Sequence, residues 1–156
     1  MIKLLLLALT STLLIGGDLK ILSDEYSGNN KKGISTFIGN VRVTLNRDRL
    51  SADKIVVLSD KENKPTSLTA TGNVSFFVQT DDGSQYEGSA SKAVFYPNKK
   101  QYNFFKDVKL LQLDNKKEIV GDEISVDLIN STASAKSKTD KPVMMIFDVK
   151  DESAKK

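Results

Sequence analysis

After residue 17, apolar side chains recur at every second position along much of the chain. Val41, Val43 and Leu45 alternate with Arg42 and Thr44; Val74, Phe76 and Val78 alternate with Ser75, Phe77 and Gln79; Ile124, Val126 and Leu128 alternate with Ser125 and Asp127. A period of two puts successive side chains on opposite faces, so each run predicts a strand with one buried face. Turn-forming residues separate the runs at 29–33, 46–48, 61–65, 81–84, 97–100 and 114–117. Asp82-Gly83 is a strong hairpin signal, because both residues tolerate positive φ. No stretch holds a helical period. The pattern predicts an all-β chain.

The runs repeat. Gly39-Asn40-Val41 recurs as Gly72-Asn73-Val74 and, weakened, as Lys106-Asp107-Val108. A second half-unit follows each triplet, at 50–57, 86–96 and 119–126, so each unit reads as strand, hairpin, strand, linker. Partial units precede (18–26) and follow (131–136, then 143–149). Such units stack, because none can bury its apolar face alone. Glycine inside a strand allows a bend or a close backbone approach. A bend in each unit would curl the sheet into a trough. Phe37, Gly39, Val41, Val43 and Leu45 share one parity, as do Leu68, Ala70, Gly72, Val74, Phe76 and Val78. Small residues at one end of each row are expected to leave a cleft wider than side chains can fill.

The N-terminus has a different pattern. Met1-Ile2-Lys3 is followed by a mostly apolar run to Ile15 and then Gly16-Gly17. That run is shorter than the roughly 20 residues a membrane-spanning helix needs, but it suits a secretory signal. Residues 1–17 are therefore read as a signal peptide with an undefined cleavage site, a retained anchor being the alternative. Residues 18–149 form the domain, and 150–156 a disordered polar tail. The chain has 156 residues and a net charge of +3, enough for one domain with a real core and too little charge for a nucleic-acid binder. Histidine and cysteine are absent, which removes the commonest proton carrier, thiol nucleophiles, disulfides and ordinary zinc sites. These absences argue against an enzyme. No metal or cofactor is expected. Export without cysteine suits a bacterial periplasm.

The ordered segments "FIGNVRVTL", "LSADKIVVLSD", "LTATGNVSFFVQTDDGSQYEGSASKAVFY", "FFKDVKLLQ" and "IVGDEISVDL" resemble the LptA/OstA family of lipopolysaccharide transport proteins, over residues 19–149. The third unit departs from the pattern, with Lys106-Asp107 in place of Gly-Asn. The resemblance implies an open twisted β-jellyroll that holds lipopolysaccharide by its lipid A part. It also implies head-to-tail self-association, with an LptC-like inner-membrane protein and an LptD-like outer-membrane translocon as partners. On that reading, period-two parity nominates an apolar groove lined by Leu19, Ile21, Val41, Val43, Leu45, Ile55, Val57, Val74, Phe76, Val78, Phe95, Phe104, Val108, Leu110, Ile124, Val126 and Leu128. For any one of these, ordinary core packing is an equal alternative. Parity is ambiguous at 92–96 and at Phe104-Phe105, where both faces carry apolar groups. Lys20, Lys54, Lys92 and Lys109 could meet lipid A phosphates, although solvated lysine is the favoured reading. Unpaired edges at 18–23 and 143–149 are the candidate assembly strands.

Other readings share parts of this pattern. An outer-membrane barrel also alternates, but the lysine-rich turns and polar C-terminus oppose it. An RNA-binding sheet would need more charge and no export signal. A membrane-tethered LptC-like relative, or a generic periplasmic lipid carrier, would share the groove logic. Adjacent carboxylates at Asp81-Asp82 and Asp122-Glu123 are read as solvent-facing, because neighbours on a strand point to opposite faces.

Overall fold

All six turn clusters become reversals of one antiparallel sheet. A computed structural model describes residues 17–149, and among them there are ten strands and no helix. The strands are β1 (Leu19–Leu22), β2 (Glu25–Asn29), β3 (Ile34–Leu45), β4 (Asp48–Ser59), β5 (Pro65–Gln79), β6 (Gln85–Tyr96), β7 (Gln101–Gln112), β8 (Lys117–Asp127), β9 (Thr132–Lys136) and β10 (Met144–Ile146). They pair in the order β1-β3-β4-β5-β6-β7-β8-β10, with β2 also beside β3 and β9 also beside β8. The sheet does not close. The linkers expected between units are hairpins too, so each apolar run is half of a long strand. A seventh reversal, after β8, is held by Asp127, whose carboxylate accepts the N–H groups of Ile129 and Asn130, both at 2.9 Å.

The repeated triplets mark a crease that runs across the strands. Gly39-Asn40, Gly72-Asn73 and Lys106-Asp107 all have positive φ, at 86° and 45°, 81° and 46°, and 62° and 49°. The pairing register shifts at each pair. Inward positions step by four residues there, from Phe37 to Val41, Ala70 to Val74 and Phe104 to Val108. On β4, β6 and β8 the step is three residues instead: Ala52 to Ile55, Ala90 to Ala93, and Gly121 to Ile124. Both kinds of step keep the apolar row facing inward through the bend.

Asparagine and aspartate lock the crease. Asn40 Nδ2 donates to Asp24 Oδ2 at 3.0 Å, and Asn73 Nδ2 donates to Asp53 Oδ2 at 2.9 Å. A Cβ on Gly39 would lie 2.6 Å from that same Asp24 oxygen, and one on Gly72 would strike the Asp53 carboxylate. Glycine is needed here for φ and for room. In the third unit Ser91 occupies the position equivalent to Asp53, so no neighbouring carboxylate excludes the Lys106 side chain.

The crease divides the sheet into two leaves. Leaf 1 holds residues 41–45, 48–52, 74–79, 85–90, 108–112 and 117–121, flanked by β1 and β10. Leaf 2 holds 34–38, 54–59, 65–71, 92–96, 101–105 and 123–127, flanked by β2 and β9. Each lateral edge is therefore a broken strand of two short pieces. The core lies between the leaves, and the hairpin tips of both leaves face each other along a mouth opposite the crease.

Candidate functional site

Parity placed its nominees on one side of the sheet, and in the structure that side is the space between the leaves. Val41, Val43, Ile55, Val57, Val74, Phe76, Val78, Phe95, Phe104, Val108, Leu110, Ile124, Val126 and Leu128 are buried in the core cluster. Leu19, Ile21 and Leu45 pack against it, half-buried at its margin. The ambiguous stretches also resolve. Ala93, Phe95 and Phe104 join the cluster, whereas Val94 does not, and Phe105 lies on the outer face under Lys92, whose Nζ is 5.6 Å from the ring centroid. Lys20, Lys54, Lys92 and Lys109 are all exposed, and Lys109 pairs with Glu118 at 3.3 Å.

The expected wide cleft is not present. The leaves touch. Phe76 of leaf 1 stacks on Phe104 of leaf 2 with ring centroids 3.8 Å apart. Tyr102 lies parallel to Phe104 at 5.9 Å and stacks on Phe95 at 4.3 Å. Small residues do not leave a trough, because aromatic rings use the room they provide. A Cβ on Gly88, opposite Phe76, would lie 2.9 Å from the Phe76 ring. What remains is a gap of about 20 Å³ bordered by Leu19, Val43, Leu45, Leu50, Ile55, Leu68, Phe95 and Tyr102. A wider depression, about 700 Å³, lies mostly over outward side chains of leaf 1, including Arg42, Arg49, Phe77, Glu87 and Lys109. It is open to solvent and carries Arg42, Arg49, Glu87, Lys109 and Glu118 among its lining, unlike the enclosed apolar interior.

The mouth is fastened by polar contacts. Tyr102 Oη donates to Asp48 Oδ2 at 2.9 Å, and Asp48 Oδ1 accepts the Gln79 N–H at 3.0 Å. Burial pushes the Asp48 carboxyl above the usual carboxylate range, against the opposing pull of those two hydrogen bonds. Burial and the neighbouring Asp48 charge push the Tyr102 phenol well above its usual value. Further along, the Asp81 N–H donates to the Leu128 carbonyl at 2.8 Å. The Asp82 carboxyl is held down to about 2 by hydrogen bonds from Thr80, Ser84 and Ser131. Asp122 is held low by the Lys138 N–H and Thr139, which tie the segment between β9 and β10 to the crease. No group of metal-ligating side chains forms among the described residues.

Asp48 and Tyr102 were not among the sequence nominees. Tyr102 shares parity with Phe104, which is a usable signal. Asp48 reads as an ordinary turn residue, and nothing local pairs it with a partner 54 positions away. Leu50, Leu68 and Ile119 were likewise missed, although each continues an inward row.

Three comparisons bear on this geometry. The chain is 30% identical over 113 residues to the lipopolysaccharide export system protein LptA of Haemophilus influenzae, an alignment that takes in 70% of this chain. The chain spans 64% of the length of that curated relative. The crystal structure of LptH from Pseudomonas aeruginosa, described as the LptA homologous periplasmic component of the conserved lipopolysaccharide transport device, matches with a TM-score of 0.74 at 15% identity. That match covers 85% of this chain and 96% of the other, and it shows a shared fold. Residues 20–132 match the family described as LptA/(LptD N-terminal domain) LPS transport protein. A creased open sheet with one apolar side, and a family match over most of its length, place this chain in that LptA/LptD N-terminal domain family.

Proposed function

We propose that the protein carries lipopolysaccharide in the periplasm, with the lipid A acyl chains held between the two leaves. The observation that carries this reading is the single apolar face, kept inward through every bend of a sheet that does not close. Sequestering a methylene is worth about 0.8 kcal/mol, so an acyl chain of about a dozen carbons favours such a lining by roughly 10 kcal/mol. Because the leaves touch, the lipid must part them. Acyl–wall contacts then replace leaf–leaf contacts, so apolar surface stays out of water throughout. Nothing in this role requires bond chemistry, and the protein is not proposed to be an enzyme.

Residues 1–17 fit a secretory signal. Residues 1–16 lie outside the described part of the chain, as does the polar tail from 150 onward. The broken edge strands support head-to-tail assembly by strand addition. Such a contact is heterologous and need not close, so a filament between an LptC-like and an LptD-like domain is the proposed bridge. Photo-crosslinkers test the reading directly. At Val41, Phe76 and Val108, all buried, they should capture lipopolysaccharide; at Arg42, Ser75 and Lys109, all exposed, they should not. Equal capture on both faces would refute it. Mass spectrometry of co-purified lipid distinguishes lipopolysaccharide from a general phospholipid cargo.

A further inference from the structure

The contacts across the mouth are unevenly spread. The tip between β3 and β4 reaches the β6–β7 region through Asp48 and Tyr102. The tip between β5 and β6 reaches the β8–β9 turn through the Asp81 N–H on the Leu128 carbonyl, with Ser131 beside Asp82. Each of these two leaf 1 tips thus meets a leaf 2 tip further along the chain. Among the described residues, the tips at 60–64 and 113–116 make no hydrogen bond to the opposite leaf. The fastening therefore joins two leaf 1 tips to two leaf 2 tips, with Tyr102 at one of the two joins.

That join adjoins the aromatic column. Phe76 and Phe104 are in van der Waals contact at 3.8 Å, which leaves no width for a polymethylene chain. Tyr102 belongs to both features. Its ring lies parallel to Phe104, and its hydroxyl bonds the Asp48 carboxylate. Anything that travels lengthwise between the leaves must separate that stack, and the stack can separate only if the tips move apart.

We propose that the Asp48–Tyr102 bond and the neighbouring tip contacts form a releasable clasp over an aromatic gate, and that an acyl chain passes the gate only when the clasp opens. This rests on the lipid-carrying reading above. It adds a location and a control point to that reading. The clasp is suited to release because its contacts are few, non-covalent and close to solvent at the tips, where Asp81 and Asp82 are exposed.

The chain has no cysteine, so a reducible lock can be placed cleanly. Asp82→Cys with Ser131→Cys, bridged by a short methanethiosulfonate linker, ties leaf 1 to leaf 2 at the tips. The control, Thr44→Cys with Arg49→Cys, bridges two paired outward positions within leaf 1. The probe is purified rough-type lipopolysaccharide with a fluorescent acyl reporter, added to the full mature chain. Bridging the 82–131 pair should slow loading at least tenfold and reduction should restore it, while the 44–49 bridge should change nothing. Tyr102→Phe, checked for folding by near-ultraviolet circular dichroism, should load several-fold faster than the parent. Equal loading by the bridged and reduced 82–131 protein would overturn the clasp, as would unchanged or slower loading by Tyr102→Phe. If the parent chain takes up no lipopolysaccharide, the lipid-carrying reading falls and takes the clasp with it.

Discussion

The Tyr102 hydroxyl on β7 donates to Asp48 Oδ2 on β4 at 2.9 Å, joining the free margins of the two leaves. Each residue is only a few per cent exposed, at 5% and 8%. A buried carboxylate is costly unless hydrogen-bonded, and Asp48 uses both oxygens, one for Tyr102 and one for the Gln79 N–H. Removing the hydroxyl leaves one oxygen without its partner. Tyr102→Phe should lower unfolding stability by about 2 kcal/mol at neutral pH, measured by urea denaturation.

Asp48 also has a distinct pH signature. Its folded pKa is raised above 3.8 by burial, so the folded state holds the proton more tightly than the unfolded state. Its contribution is fully present below 3.8 and is lost as pH rises through the raised value. Asp48→Asn should remove this decline. Melting curves across pH 3.5 to 7 should therefore show a flatter profile for the variant on the approach to neutrality.

Asp82, Asp122 and Asp127 act in the opposite direction. All three carboxyls are lowered by hydrogen bonds, Asp82 to about 2. Their contribution is present above 3.8 and is lost as pH falls through the lowered values. Acid unfolding followed by circular dichroism should set in below about pH 4, and Asp122→Asn or Asp127→Asn should flatten that limb.

The crease can be tested from both sides. Gly72→Ala puts a Cβ against Asp53 at a φ of 81°, and should cost about 1–3 kcal/mol. Lys106→Gly frees a left-handed residue beside Ser91, where the second unit has Asp53, and should be neutral or stabilising by up to about 1 kcal/mol. Opposite signs in thermal melts would confirm that backbone conformation, rather than side-chain chemistry, shapes the third bend.

Self-association should depend on β10 and its flank. Met145 is 45% exposed and Phe147 61%, an unusually apolar surface for an edge. Met145→Asp with Phe147→Asp should reduce higher-order species by sedimentation velocity, with the thermal midpoint little changed.

Strand content, the reversal points and the inward face were legible in the sequence because each is a local property. A period of two assigns a face, and Asn, Asp and Gly assign the turns. The repeated Gly-Asn-Val triplets even marked the crease. Four-residue and three-residue steps alternate from strand to strand at the bend, which keeps Val41, Ile55, Val74 and Phe104 on one side.

How far apart the two leaves stand is not a local property. It depends on which rings meet across the crease, here Phe76 with Phe104, and on a bond between Asp48 and Tyr102 that spans 54 positions. The sequence alone determined a creased sheet with one apolar side. Only the tertiary structure decided that the space between the leaves is closed by stacked rings and buttoned at its mouth, because packing across a fold depends on distances that periodicity does not encode.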